Sequence, residues 1–514
     1  MSTIEFITPV VDHVKHVFDR CTWSEGQTPL LADGLDLKTG APLRWEGCML
    51  TNLACQQNFL RALDALGTLT GDARYHQQAD TWIGCALEKL HDPASDLFYW
   101  GGHTSYDLLK DEPVTGNHEM KCVYPHYAYL YRVDADVTSR FVKAFWHAHI
   151  WDWSTLLFNR HGDYKAWEEK WQAGFEGGPL PIVENTALSF VNTGSDLILS
   201  GAMLHALSGD ETPLHWACNL LSRYDQVRHP ETGLAGYQFN HRDPCRVRAS
   251  FKPPFDGRED LNEVTVVTNG VIKTRYGRAA VTLLNALEAL GPEKGQPFRD
   301  LVVADLEALA EYTYDADDGC FYPMLNDGTR LLPEYSMDGV GYCQPTKLQK
   351  VPADGLMFLS YARAYHLTEV ARFQEMAVQL AEAMGWGSLE APLDFEGGGS
   401  PPGEDAWVNS GQNDACALFG LLELHAATGN EVLLQSAASL GRHLLSCYQV
   451  NGLIVSGSRD GSTNIDTALP LALLHLEAAK QGQRGALPAF YPNNTYFDPK
   501  IVIRRWAQQK ASSA

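Results

Sequence analysis

A recurring helical hairpin constrains this chain more than any other feature. A helical run reaches a Gly-Asp or Gly-Asn break, and a second amphipathic helix follows. In FLRALDALGTLTGDARYHQQADTWIGCALEKL the break is Gly71-Asp72. After it, Tyr75, Ala79, Trp82, Ile83, Ala86 and Leu90 keep the spacing of one buried helix face. Asp72 stands where an N-cap is needed. LHALSGDETPLHWACNLLSRY around Gly209 and LHAATGNEVLLQSAASLGRHLL around Gly429 repeat the pattern. YARAYHLTEVARFQEMAVQLAEAM is a looser copy. Several pairs run into a polar turn and a short extended stretch: HDPASDLFYWGG from His91, HPETGLAGYQF from His229, DADDGCFYP from Asp315 and QVNGLIVSG from Gln449. Units of this kind cannot bury their apolar faces alone, so they stack on their neighbours to share a core. The long, irregular spacing favours a closed ring over an open solenoid. The expected fold is an all-α (α/α)n toroid, formed as a single domain over residues 1–514.

Two stretches break the helical rhythm. Residues 236–278 read as strands, with NEVTVVTNGVIKTRYG as a hairpin turning at Asn269-Gly270. Residues 311–350 are rich in Gly, Pro and aromatics. Both are expected to be β-rich insertions flanking a cleft, because loops of stacked repeats gather on one face.

Charge narrows the partners. The formal net charge of −23 argues against nucleic acid, whose binders need a basic stripe. It does not exclude an acidic sugar, since a local cluster of cations or a metal can reverse the sign inside one cleft. No run of eighteen apolar residues is present, so no membrane span is expected. The opening residues MSTIEFITPVVDHVKHVFDR lack a basic region followed by an apolar run. The eleven cysteines are scattered without a C-x-x-C pair. Both points favour a cytoplasmic protein, or a periplasmic one from which an export signal has been removed. The 13 Trp, 21 Tyr and 20 Phe suit a large core, and flat rings also stack on sugar faces.

The densest chemistry lies in residues 99–171, where six histidines (103, 118, 126, 147, 149 and 161) stand among aromatics. From the residues alone they are readable as a metal site or as hydrogen-bonded core and surface groups, since no strict ligand spacing is present. His147 and His149 cannot share a helix face at i and i+2. With His118 and His126 they read as structural or outer groups. Asp107 and Asp163 are candidates to orient a ligand imidazole. Arg246, Arg248, Lys252, Arg275 and Arg278 read either as a positive cleft wall or as a solvated basic face.

GGHTSYDL, NHEMKCVYPHY and FNRHGDY resemble the metal-site segments of polysaccharide lyase family 2, the pectate lyases (exopolygalacturonate lyases among them) built on an (α/α)7 barrel. The resemblance implies that His103, Glu119 and His161 bind a divalent transition metal and that Arg160 is the Brønsted base. It implies β-elimination on a galacturonate oligo- or polysaccharide, giving 4,5-unsaturated products. Mixed imidazole and carboxylate ligands suit Mn foremost, with Co, Ni or Zn also fitting, rather than calcium.

Such a reaction removes a proton next to the uronate carboxylate, and a Lewis acid on that carboxylate acidifies the C–H bond. An arginine is ordinarily charged near neutral pH, so from the residues alone Arg160 reads as a charged clamp on the uronate, and it is the resemblance that implies the base. Two other functions fit the same ring. An unsaturated-uronide hydrolase needs two carboxylates, for which Asp405 and Asp414 in GEDAWVNSGQND are candidates. A non-catalytic uronate-binding protein needs neither.

Overall fold

The structure is a computed structural model that describes residues 4–22, 28–114, 116–177, 187–240, 247–338, 343–395, 410–456 and 461–494. The chain divides into two compact units. One comprises residues 1–145, 162–167 and 390–514, and the other residues 146–161 and 168–389.

Helical hairpins build both units. In the second unit, α6 (Val191–Ser208) pairs with α7 (Glu211–Gln226), α8 (Ala280–Lys294) with α9 (Gln296–Tyr312), and α10 (Gly355–Thr368) with α11 (Ala371–Ala383). Helix α6 packs on α8 and α8 on α10, while α7 packs on α9 and α9 on α11. Two layers result, and burial follows them. Every residue of α10 from Gly355 to Ala364 is buried, whereas α11 buries only Phe373, Met376, Ala377, Leu380 and Ala381. An inner helix is apolar all round, and an outer helix carries one apolar stripe.

The first unit repeats the scheme. Helix α2 (Gln57–Thr70) pairs with α3 (Ala73–Lys89), and α12 (Ser410–Thr428) with α13 (Glu431–Tyr448). Helix α14 (Leu469–Lys480) lies against α2, α12, α13 and α1 (Ile7–Cys21). The predicted breaks are real. Gly71, Gly209 and Gly429 have φ of 69°, 76° and 67°, the left-handed region that glycine enters without strain. Asp72, Asp210 and Asn430 accept the N–H of Arg74, Thr212 and Val432 as N-caps.

The strand reading of residues 236–278 is corrected. Among the described residues there, Val266–Val267 is the one strand, paired with Met324–Leu325. Asn269-Gly270 is no hairpin turn. Thr268 caps a helical start over Asn269–Val271, its side chain accepting the Val271 N–H, and the chain winds on through a wider π-type run, Ile272–Ala279, into α8. Val271, Ile272, Tyr276, Ala279 and Ala280 are buried, a helical spacing that outweighs the local turn signal. Residues 311–350 hold short strands at Tyr314–Asp315, Cys320–Phe321 and Met324–Leu325. The two stretches share one satellite core, in which Val247, Phe251, Phe255, Leu261 and Val266 meet Leu325, Leu331, Cys343 and Leu348.

Candidate metal centre

Three extended segments carry the residues singled out from sequence. The first is Trp100–Thr104, leading into β3 (Ser105–Asp107), which pairs with β2 (Leu50–Thr51) and β4 (Glu112–Val114). Asn52 holds this segment. Its side-chain oxygen accepts the Gly101 N–H at 2.9 Å, and its amide donates to the Gly101 carbonyl at 2.8 Å and the Thr104 carbonyl at 3.4 Å. The second segment contains His118 and Glu119. Gly102 N–H donates to the Glu119 carbonyl at 2.8 Å. Gly101, at φ 102°, has to be glycine, because a Cβ there would lie 2.1 Å from that carbonyl oxygen. Gly116 is equally constrained, its Cβ falling 2.2 Å from the His103 carbonyl oxygen.

The third segment is Asn159–Gly162. His118 and Gly162 exchange backbone hydrogen bonds of 2.9 and 2.8 Å as an antiparallel bridge. That register sets Glu119 opposite His161. His161 N–H is further fixed by the Asn159 side chain at 2.9 Å. Ligand atoms of His103, Glu119 and His161 consequently lie within 4.8 Å of one another, the one such group found among the described residues. His103 is 7% exposed and Glu119 fully buried. His103 Nε2 stands 3.0 Å from Glu119 Oε2.

The donor set fits a transition metal. With metal–ligand distances of about 2.1 Å, cis ligands of an octahedral ion stand roughly 3 Å apart, as His103 and Glu119 do. Two imidazoles and one carboxylate are the mixed donors such ions prefer over all-oxygen shells.

Arg160 precedes His161 in the same segment. Its N–H donates to the Leu188 carbonyl at 3.1 Å, and its guanidinium lies 5.4 Å from the Phe190 ring centre. Its side chain is half-buried.

Lys121 escaped the sequence reading. Its Nζ is 3.0 Å from Glu119 Oε2, the oxygen that His103 also approaches. The signal was available, since residues two apart on an extended segment share a face. Asn52 and Gly101 carried no local signal, because their partners are distant in sequence.

The other histidines are structural. His118 Nε2 accepts the Trp100 indole N–H at 3.2 Å, and its ring packs among Phe141, Phe145 and Tyr164. His126 Nε2 meets Asp64 at 2.8 Å, and burial lowers its pKa despite that partner. His147 Nε2 accepts the Lys170 N–H at 2.8 Å, and His149 Nδ1 meets the Asn159 carbonyl at 2.8 Å.

Neither aspartate is seen to orient an imidazole. Asp107 accepts the Met49 and Leu109 N–H groups and pairs with Lys110, while Asp163 pairs with Lys165 at 2.5 Å. Among the described members of the basic cluster, Arg275 is no part of an exposed wall. Arg275 is buried against Asp305, Arg248 donates to the Glu259 carbonyl, and Arg246 lies outside the described residues. Asp405 and the side chain of Asp414 also lie outside them.

Residues 28–500 match the model of a family described as periplasmic pectate lyase. A pectate disaccharide-lyase of Dickeya dadantii (strain 3937) is 26% identical, the alignment covering 96% of this chain and 92% of that protein. Among solved structures, an α-1,2-mannosidase from Trichoderma reesei aligns at a TM-score of 0.51 with 10% identity, covering 92% of this chain and 93% of its own. The shared fold is of the all-α, (α/α)n toroid class expected from the hairpin repeats. The cytoplasmic expectation is corrected by the family's periplasmic description. The thiols behind that expectation are mostly buried, as small apolar groups are, and so report packing rather than compartment. No described helix is long and apolar enough to cross a membrane.

Proposed function

The chain belongs to the periplasmic pectate lyase family and is a polysaccharide lyase, and on that premise we propose that it cleaves polygalacturonate or its oligomers by metal-assisted β-elimination. The observation that carries this reading is the convergence of His103, Glu119 and His161 within 4.8 Å, with Arg160 adjacent in the chain. These three residues would hold the metal. Bound there, a divalent transition ion would neutralise the uronate carboxylate and acidify the proton on the neighbouring C5.

The chain's own residues do the rest. Arg160, acting as the neutral guanidine, takes the C5 proton; the electron pair left on C5 forms the C4–C5 double bond, and the glycosidic oxygen leaves C4 and takes up a proton from solvent. The 149–159 pairing and the 118–162 bridge hold the residues on both flanks of Arg160-His161, which supports a role for this pair in positioning. Glu119 is buried, and Lys121 beside it supplies a second positive charge near the place where a uronate carboxylate would bind.

The test is spectroscopic. Polygalacturonate with the protein and Mn²⁺ should give the ultraviolet absorbance of unsaturated uronides. That signal should vanish with a chelator and return with added metal. Arg160→Ala should lower kcat by about 10²–10⁴-fold. No signal on any uronic-acid polymer would overturn the reaction, and a chelator-insensitive signal would overturn the metal. Near-normal turnover of Arg160→Ala would return Arg160 to a non-catalytic role.

A further inference from the structure

Trp151 is anomalous. It is 52% exposed, whereas Trp82, Trp100, Trp146 and Trp216 are essentially buried and Trp153 and Trp171 are only 6% and 5% exposed. Leaving an indole in water forfeits the burial of one of the largest apolar side chains. Its backbone setting is also unusual. In the hairpin of β5 (Ile150–Asp152) and β6 (Leu157–Phe158), Ile150 pairs with Phe158 and Asp152 with Leu157. Trp151 therefore has no residue opposite it and forms a β-bulge. Bulges re-aim side chains and concentrate beside active sites. In a regular strand Trp151 and Trp153 would share a face. Trp153 instead packs on Trp146, His147 and Trp216, and Trp151 is turned out to solvent.

The hairpin is rigid where it matters. Asp152 accepts Ser154 N–H at 2.9 Å, Ser154 Oγ–H at 2.8 Å and Thr155 Oγ–H at 2.6 Å, tying the tip. Asn159 N–H donates to the His149 carbonyl at 3.0 Å, and His149 Nδ1 meets the Asn159 carbonyl at 2.8 Å, clamping the base. Arg160 follows immediately. Counting along the hairpin, Trp151 stands roughly 10 Å from Arg160, at about 3.3 Å per strand residue, a span of a few sugar rings.

We propose that Trp151 is a sugar-stacking platform that binds a galacturonate ring of the substrate chain remote from the ring being cleaved. This rests on the lyase reading above. A galacturonate ring, with its axial 4-oxygen, presents C–H bonds on one face, and an indole face is complementary to it. An uncharged surface also suits a polyanion approaching a protein of net charge −23.

Two measurements test it. First, kcat/KM is compared on polygalacturonate and on a trimer for wild type, Trp151→Ala and Trp151→Phe. Trp151→Ala should lower the polymer-to-trimer ratio about tenfold, and Trp151→Phe, which keeps an aromatic face, should restore part of it. Second, acrylamide quenching is followed without turnover. The quenchable tryptophan emission that Trp151→Phe removes should be protected in the wild type by polygalacturonate. An unchanged ratio, or no protection, overturns the platform. If wild type gives no unsaturated product, the lyase reading falls instead, and the quenching result alone decides whether Trp151 binds the polymer.

Discussion

Two groups of buried acids in the first unit are built to opposite ends. Asp33 and Asp466 accept their hydrogen bonds from neutral N–H donors, with the Arg61 guanidinium also acting on Asp466. Asp33 accepts the Asn52 N–H and the Gln56 amide at 2.8 Å each, and Asp466 accepts the Asn58 and Phe59 N–H groups at 2.6 and 3.0 Å and the Asn493 amide at 2.8 Å. Burial pushes both carboxyls above the usual carboxylate range, against those hydrogen bonds. Glu119 is as deeply buried, yet its Oε2 has an imidazole and an ammonium 3.0 Å away. A carboxylate held by peptide dipoles ties chain segments together, whereas one facing imidazoles at ligand spacing has the donor arrangement that would suit an ion. Histidines divide the same way. His13 is buried on α1 with Nδ1 accepting the Ile454 N–H at 3.0 Å, while His103 faces Glu119.

The sharpest break of this comparison is to remove one acid from each group. If Glu119 is the anionic ligand proposed above, Mn²⁺ affinity of Glu119→Gln by titration calorimetry should fall at least about a hundredfold. Asp466→Asn should keep Mn²⁺ affinity within about threefold while lowering unfolding stability by about 1–3 kcal/mol in urea, because an amide cannot accept on both sides. If Asp466→Asn weakened the metal as much as Glu119→Gln, the two acidic groups would not be separate in role.

A backbone change probes the same division without touching a ligand. Gly101→Ala places a Cβ 2.1 Å from the Glu119 carbonyl oxygen, so the 101–119 bridge has to open. Mn²⁺ affinity should drop by about 10–100-fold, as when supporting groups around a metal are lost. Gly47→Ala, at another positive φ with open space around it, should leave that affinity unaltered.

The hairpin repeats were legible because their signals are local: a glycine that must enter the left-handed region, and a capping side chain one residue later. The proposed ligand set was suggested only by resemblance to a family. His103, Glu119 and His161 meet through the 101–119 and 118–162 bridges, and register between distant extended segments leaves little trace in residue spacing. Two Asn-Gly pairs show where local reading stops. Asn451-Gly452 has φ of 50° and 80° and turns the hairpin of Gln449–Val450 with Leu453–Ile454. Asn269-Gly270 opens a helix, because the residues after it are buried at helical spacing. Trp151 was hidden for a further reason: neither its bulge nor its exposure is written in its neighbours.

The contrast between structural histidines and the proposed ligand histidines has a pH signature. Burial, with His16 adding a smaller effect, depresses His13 to about 3 from 6.5. Its contribution to stability is therefore complete above pH 6.5 and is lost as pH falls from there toward 3. Between pH 6.5 and 5.5 the loss from this one group should be about 1 kcal/mol. Urea unfolding at several pH values should show a shallower acid slope for His13→Gln than for wild type, with no matching change in Mn²⁺ affinity at pH 7.5. Equal slopes would mean that His13 remains neutral in the unfolded chain as well or is protonated in both states.

The smallest effect concerns the cation already at the centre. Lys121 Nζ lies 3.0 Å from the Glu119 oxygen that His103 also approaches, so a bound metal has to share that oxygen with the ammonium or displace it. Two like charges about 4 Å apart repel by about 1 kcal/mol in water and more where solvent is excluded. Lys121→Met keeps the stem and removes the charge. Mn²⁺ should then bind about threefold to tenfold more tightly, while KM for polygalacturonate rises because a positive charge near the uronate is gone. The two shifts have opposite signs, which separates electrostatic competition from damage to the site, since a distorted Glu119 would weaken metal and substrate together. Weaker Mn²⁺ binding in Lys121→Met would show that the lysine orients the carboxylate rather than competing for it.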